Sequence, residues 1–414
     1  MRRKREIKEY AKVVATIDLG TSSLKGIAQV YPDGVPIVLK MEPEIADVGA
    51  GSIEYLSNQF MQDSTVWVGI DEEYFVLGAL AKSKFAGTSA LRDLKYQYAL
   101  PKVIGMLWLA IRRLLVNNPD LEVYVHLLLP VGESSVSEAL KAKLTEALKT
   151  GIGTPTGKLK AKLRSFGLSA EGAGVMSFRS RNTNVNYFHK NIGMLMLGYR
   201  NASFILSHKG STTKSETTDL GMNWVVNEFV ERTAVGLSKD DSRLISALVE
   251  ANKNNFDELR LLSRKSKPED VRLDVELFKK VLPVVRTEYV RALLRWLRNI
   301  AQMDEILVCG GTASFIRNEL TKHFEQQGIP ISWNGGMELP KNLNTMGLGD
   351  RVADVWASHI THIKMLDFNL NYDRKGKPLV PESYTQPVNS FAQETEIWQK
   401  NGYLGTQVIG SKRL

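Results

Sequence analysis

At 414 residues the chain is too long for one ordinary domain and suits two or three, and 43% hydrophobic with 24% charged residues is the composition of a soluble globular protein. A single cysteine, Cys309, excludes an intramolecular disulfide framework, and no apolar run approaches the roughly 18 residues of a membrane span; the longest, 103–111, runs on into Arg112 and Arg113. The net charge of +9 is spread along the chain, with small clusters at 2–5, 158–164 and 264–267, so solvated basic faces are expected rather than sequence-specific binding of nucleic acid. The charged start, MRRKREIKEYAK, is unlike a signal peptide, and a cytoplasmic location is expected.

Residues 13–18 are β-branched or apolar up to Asp18 and predict a buried strand. GTSS turns the chain, LKGIAQVY returns it, PDG at 32–34 turns it again, and VPIVLKM is a third strand. PKVIGMLWLAIRRLLV, 101–116, predicts a helix with proline at its start, and LEVYVHLLLP, 121–130, another buried strand. The stretch 133–149 predicts a helix with one face in water. From 191 the pattern restarts as strand, turn, strand, turn. Asp18 then aligns with Met196, Gly20 with Gly198, Ser23 with Asn201 and Lys25 with Ser203, which suggests two domains of similar build across a cleft. Residues 221–300 are mainly helical, with a charged lobe about 236–285. DEILVCGGTASFIRNEL, 304–320, predicts a strand, a glycine turn and at once a helix, and the chain beyond 362 is expected to be irregular.

The first turn has the chemistry of an anion site. Backbone N–H groups in a tight turn converge on an anion, small residues admit a phosphate, and Lys25 adds charge. Asp18 would need a cation such as hydrated Mg²⁺ between itself and a phosphate. The same residues also fit a plain hairpin whose buried acid caps its own turn. Gly310 and Gly311 would offer two N–H donors beside an open helix N-terminus and admit a flat ring. His359 and His362 share a helix face with no third ligand nearby, which fits a packed or solvated pair better than a metal site. Trp296, Trp333 and Trp356 fit core or interface positions, and no nucleophile stands with a base.

IDLGTSSLK resembles the first phosphate motif of the actin-like ATPase superfamily (actin, Hsp70, sugar kinases). MLGYRNASF resembles a decayed second phosphate motif, ILVCGGTASFI the adenosine motif, LLLPVG at 127–132 a strand-end segment, and NTMGLGDRVADVW at 344–356 the segment returning to the first domain. The resemblance spans about 12–362 and is strongest to bacterial ParM-type plasmid-segregation filaments. It implies an α/β actin-like fold of two duplicated domains: 1–190, to which 345–362 returns, and 191–344, with 363–414 as an extension. It further implies ATP or ADP with Mg²⁺ in the cleft. Asp18 would hold the metal through water, and Gly20, Thr21, Ser22, Ser23 and Lys25 would contact phosphates, with Gly198, Arg200 and Asn201 from the second motif. Gly310, Gly311 and Thr312 would line the adenosine pocket, and Glu228 and Arg232 would reach the ribose or base. Glu171, in LSAEGAGVMSF, would orient the attacking water, a task of geometry more than pKa; the alternative is a surface glutamate in a glycine-rich turn.

The departure lies at Met196, where the family has an acid, and at Tyr199, Arg200 and Asn201, where it has glycine and threonines. A thioether cannot order a hydrated magnesium, so hydrolysis would lose on the order of 10²-fold while binding persists. TTDLG at 217–221 is not the missing motif, because it leads directly into a helix. The function implied is an ATP-dependent, self-assembling filament and ATPase for DNA segregation or cell shape, reaching cargo through an adaptor protein. A non-polymerising small-molecule kinase and a nucleotide-binding scaffold on the same fold are the alternatives.

Overall fold

The computed structural model describes residues 10–57, 65–88, 98–116, 118–130, 133, 137–181, 187–239, 241, 243–300 and 302–381. These fall into two compact units, one drawn from Met1–Ala170 and Leu339–Leu414, the other Glu171–Glu338.

The first unit begins with β1 (Ala11–Asp18), whose last six residues are buried, and β2 (Leu24–Val30) returns antiparallel with Lys25 opposite Asp18. β3 (Ile37–Met41) completes the meander. A second sheet, absent from the sequence reading, grows from β4 (Ile45–Val48), helix α1 (Ala50–Ser57), β5 (Val66–Ile70), β6 (Glu73–Leu77) and α2 (Gly78–Lys84). Its strands are three to five residues long and its β5–β6 hairpin turns on Asp71 and Glu72, both at positive φ, so neither length nor composition announces it. α3 (Ala99–Arg113) is buried along almost its whole length, as expected of its unbroken apolar run 103–111, and Lys102 and Arg112 are buried with it. It shares one core with both sheets. β7 (Leu121–Leu129) runs parallel to β1. After α4 (Ser137–Thr150) come β8 (Ile152–Thr154), β9 (Gly157–Leu159) and β10 (Lys162–Ala170). The first sheet is ordered β10-β7-β1-β2-β3 and the second β4-β6-β5-β8-β9. Val131 and Gly132 of the LLLPVG segment lie outside the described residues.

The second unit opens with α5 (Ala173–Arg181), then β11 (Asn191–Leu197), β12 (Ala202–His208), β13 (Ser211–Thr218) and α6 (Met222–Thr233). α7 (Arg243–Asn252), α8 (Asp257–Arg260) and the long α9 (Pro268–Arg298) follow, then β14 (Glu305–Cys309), α10 (Arg317–Gln326) and β15 (Ile331–Trp333). The segment 236–285 forms no lobe with a core of its own: Leu244, Leu248, Leu259 and Phe278 pack in one core with Leu195, Phe204 and Val308 of the sheet. Trp296 and Trp333 pack at the margin of that core, whereas Trp356 is buried in the first unit. The sheet order, β13-β12-β11-β14-β15, repeats the first sheet strand for strand: an antiparallel meander followed by two parallel strands. Met196 pairs with Ser203 as Asp18 pairs with Lys25, which is the alignment the sequence suggested.

The contacts separate the units after Ala170, not after 190 as the sequence suggested. The reason is Glu305, buried at the start of β14 and needing compensation. Arg179 of α5 supplies it at 2.7 Å, Lys190 lies 3.7 Å away, and Ser332 donates a hydrogen bond at 3.1 Å. Residues 171–190 are thus bound to the second sheet. The returning segment, from 339 onward, ends in α11 (Ala353–Asn369), which packs on β1, β2 and β7. Irregular chain therefore begins after 369, not after 362. Tyr372 donates to Asp33 at 2.7 Å and Arg374 to Asp367 at 2.5 Å, tying the next stretch down, and 382–414 lie outside the described residues.

Candidate functional site

The β1–β2 turn lies where β1 and β7, parallel strands, both end, the end at which such sheets place their ligands. Asp18 Oδ2 stands 2.7 Å from Lys25 Nζ, and both side chains are buried. Gly20 sits between them: a β-carbon there would lie 2.5 Å from the Ser23 carbonyl and 3.6 Å from both Asp18 Oδ1 and Lys25 Cε. Glycine is therefore dictated by close approach. Ser23 is buried and its hydroxyl donates to the carbonyls of Leu24 at 3.2 Å and Met41 at 3.4 Å, so it anchors the turn rather than offering itself. Gly20 and Thr21 are half-buried, and Ser22 is exposed.

Ser22 has a partner the sequence reading missed. Arg351 donates from Nη2 to Ser22 Oγ at 3.0 Å, across 329 positions of chain. Burial lowers the Arg351 guanidinium from its usual range, and the Asp18 charge opposes that shift. The turn thus carries two cations and one carboxylate, a net positive charge facing a bed of small residues. The signal available in sequence was an arginine inside GLGDRVADVW, a segment read there only as a connection.

In the second unit the β11–β12 turn and the β14 turn lie at one sheet end, with Met196 opposite Cys309. Cys309 Sγ and Met196 Sδ are 3.1 Å apart and both residues are buried. Sulfur fills the position where the first unit has its carboxylate. The Thr312 hydroxyl donates to the Gly198 carbonyl at 2.8 Å and its N–H to the Leu197 carbonyl at 3.0 Å, so Thr312, 3% exposed, ties the two turns together. Gly310 is at φ +105°, and a β-carbon there would stand 2.3 Å from the Leu197 carbonyl oxygen. The helix does not follow Gly311 at once: a 3-10 turn, Ala313–Ile316, comes first, and α10 starts at Arg317. The N–H groups at the start of α6 are also taken, Met222 by the Gly198 carbonyl at 3.2 Å and Asn223 by the Tyr199 carbonyl at 2.8 Å. Arg200 donates from Nε to Asn201 Oδ1 at 3.0 Å, orienting both side chains of this turn.

Glu171 is buried directly after β10, at the start of the second unit. Glu228 and Arg232 meet each other at 2.9 Å on α6, and Arg232 also pairs with Glu288 of α9, so the pair clamps two helices. His359 and His362 are buried under β1. Thr16 Oγ1 lies 3.1 Å from His359 Nδ1, His359 Nε2 lies 3.1 Å from Gln29 Oε1, and the His362 ring is 5.3 Å from that of His126. They are a packed pair, and no group of three His, Cys, Asp or Glu side chains able to hold a metal occurs among the described residues.

No protein-family model matches the sequence, and no curated protein is significantly similar to it. Solved structures are similar in fold. A ParM from a 15-stranded filament of Clostridium botulinum aligns over 86% of this chain and 99% of its own, at 17% identity and TM-score 0.55. The archaeal actin homologue Ta0583 aligns over 85% and 99%, at 12% identity and TM-score 0.55. Bacillus thuringiensis ParM with ADP aligns over 86% and 99%, at 16% identity and TM-score 0.55. The fold is actin-like. Among the described residues no helix is long and apolar enough to cross a membrane.

Proposed function

We propose that this actin-like protein binds ATP with Mg²⁺ and polymerises in a nucleotide-dependent way. The observation that carries the reading is the first turn, where Gly20 leaves room for a close anion and Lys25 and Arg351 supply positive charge beside Asp18. These residues fit the group. A hydrated Mg²⁺ needs few protein oxygens, and Asp18 offers a carboxylate while phosphates supply the rest. Bound metal would neutralise phosphate charge. Lys25 would exchange its contact with Asp18 for one with a phosphate, Ser22 and Thr21 would hydrogen-bond phosphate oxygens, and Glu171 would orient water. The Gly310–Thr312 turn of the second unit would take the adenosine end, and Arg200 and Asn201 would add phosphate contacts. Glu228 and Arg232 would serve a ribose only by giving up their present ion pairs. Filaments of the chain would reach DNA or another cargo through an adaptor.

The sulfur pair Met196–Cys309 favours a second reading, a nucleotide-binding scaffold with negligible turnover. High-speed pelleting with ATP, ADP and a non-hydrolysable ATP analogue, with phosphate release followed in parallel, separates the two. Pelleting with ATP and the analogue, but not with ADP, is the expected result. ATP binding without pelleting under any nucleotide would sink the filament and leave the scaffold or a kinase.

A further inference from the structure

From Ala147 to Ala170 the chain has five basic residues, Lys149, Lys158, Lys160, Lys162 and Arg164, and no acidic one. Four of them fall at every second position from 158 to 164, and exposure alternates with them: Lys158, Lys160, Lys162 and Arg164 are exposed, while Leu159, Ala161 and Leu163 pack inward against the first core. In extended chain a period of two puts side chains on one face about 6.6 Å apart; here the run passes from β9, which ends at Leu159, to β10, which starts at Lys162 and shifts register at Arg164, and the common face is read from the alternating exposure. The structure supports this directly for the first two. The Lys158 and Lys160 side chains both cross Gly151, where a β-carbon would stand 2.4 Å from Lys158 Cε and 2.9 Å from Lys160 Cγ. The Ala161 N–H donates to the Leu148 carbonyl at 3.2 Å, which holds the run against the end of α4.

Charge compensation is also missing along this run. Some lysines on helices have carboxylates one turn away, as in Lys141–Glu138, Lys149–Glu146 and Lys279–Glu276. Arg164 is taken by Glu122. Lys158, Lys160 and Lys162 have no carboxylate partner among the described residues. β9 and β10 are each the edge strand of a sheet, so one continuous segment lines two sheet edges with charge.

We propose that Lys158, Lys160 and Lys162 form a contact surface for the phosphate backbone of nucleic acid, independent of base sequence. Charges spaced by less than the ~8 Å screening length at physiological salt act together on a linear polyanion. Phosphate contacts of this kind carry affinity and no sequence information. An anionic membrane is the poorer fit, because surface-binding segments insert apolar side chains beside their cations and here those side chains point into the core. Lysines also guard sheet edges against strand addition, and the experiment separates that role. The proposal does not depend on the nucleotide reading.

The test is fluorescence anisotropy of labelled 30-base-pair duplexes of two unrelated sequences, titrated with the full chain at several salt concentrations. The variant is Lys158→Gln/Lys160→Gln/Lys162→Gln. The control is Lys265→Gln/Lys267→Gln/Lys280→Gln, which removes the same charge from exposed sites on the second unit. Equal affinity for both duplexes is expected in the wild type. The first variant should bind at least ~10-fold more weakly, with its log K against log salt slope reduced by two to three, at about 0.9 per lost phosphate contact. The control should change by less than ~2-fold. Equal losses in the two variants would reduce the effect to net charge and overturn the proposal. So would absence of duplex binding by the wild type, aggregation of the first variant with undiminished duplex binding, or capture by phosphatidylserine vesicles in place of DNA.

Discussion

Asp18 and Lys25 sit opposite each other because the β1–β2 register puts them there, and burial makes each need the other. Removing one partner of a buried pair leaves an uncompensated charge, which costs roughly 3–5 kcal/mol, whereas removing both is far milder. Lys25→Met should therefore lower the urea midpoint sharply, and Asp18→Asn/Lys25→Met should recover most of it while ATP affinity stays lost in both. If the double variant binds ATP like the wild type, the turn is not the phosphate site. Backbone geometry governs the second unit's turn. Gly310→Ala forces a β-carbon into the Leu197 carbonyl at an unfavourable φ, and a loss of several kcal/mol, at least the ~1–3 typical of backbone strain, should appear in denaturant melts. Thr312→Val removes only the strut to Gly198 and should cost about 1–2 kcal/mol. Equal costs for the two would contradict the packing at Leu197.

At the scale of the element, α11 is held by a polar seam rather than by apolar contact alone. Burial pulls His126 down to about 4 and His362 to about 3, and pushes His359 well below its ordinary value; the like charge of His126 adds to the lowering at His362. The unfolded chain takes up protons near pH 6.5 while the folded chain does not, so stability falls as pH drops from about 6.5 toward 4, by ~1.4 kcal/mol per unit per histidine. Urea midpoints measured at pH 7.5, 6 and 5 should be level above about 7 and then decline. A midpoint unchanged down to pH 5 would mean that these rings are not buried neutral. The same seam explains why the end of α11 was misjudged from sequence. THIKMLDFN carries enough polar residues to resemble a tail, and only the sheet beneath shows that His362, Ile363 and Leu366 are the buried face.

At the scale of the molecule, the turn of the first unit is completed from the far end of the chain. Arg351→Met should weaken ATP binding by about 10-fold, with the melting transition little changed because the variant gives up a hydrogen bond to an exposed serine and an attraction to Asp18 that the guanidinium's own burial outweighs. Equilibrium binding of a fluorescent ATP analogue measures the first and a thermal melt the second. Unchanged affinity would remove Arg351 from the phosphate site. The duplication is equally a property of the whole. Each of the two duplicated five-stranded sheets is legible in part, because β1, β7, β11 and β14 are buried runs with sharp ends, and the pairing of Asp18 with Lys25 and Met196 with Ser203 follows from hairpins whose turns contain glycine.

Local chemistry alone thus determined the main buried strands of the duplicated sheets, the two hairpins and the glycine turn at 310–311, since each depends on neighbours close in sequence. Tertiary structure decided the rest. It drew residues 171–190 to the second unit, because Glu305 needs Arg179 and Lys190. It turned the Ser23 hydroxyl and Thr312 inward as anchors, because nearby carbonyls required donors. It brought Arg351 to Ser22 and left Lys158, Lys160 and Lys162 without carboxylates, because pairing between charges depends on distance in space and not along the chain.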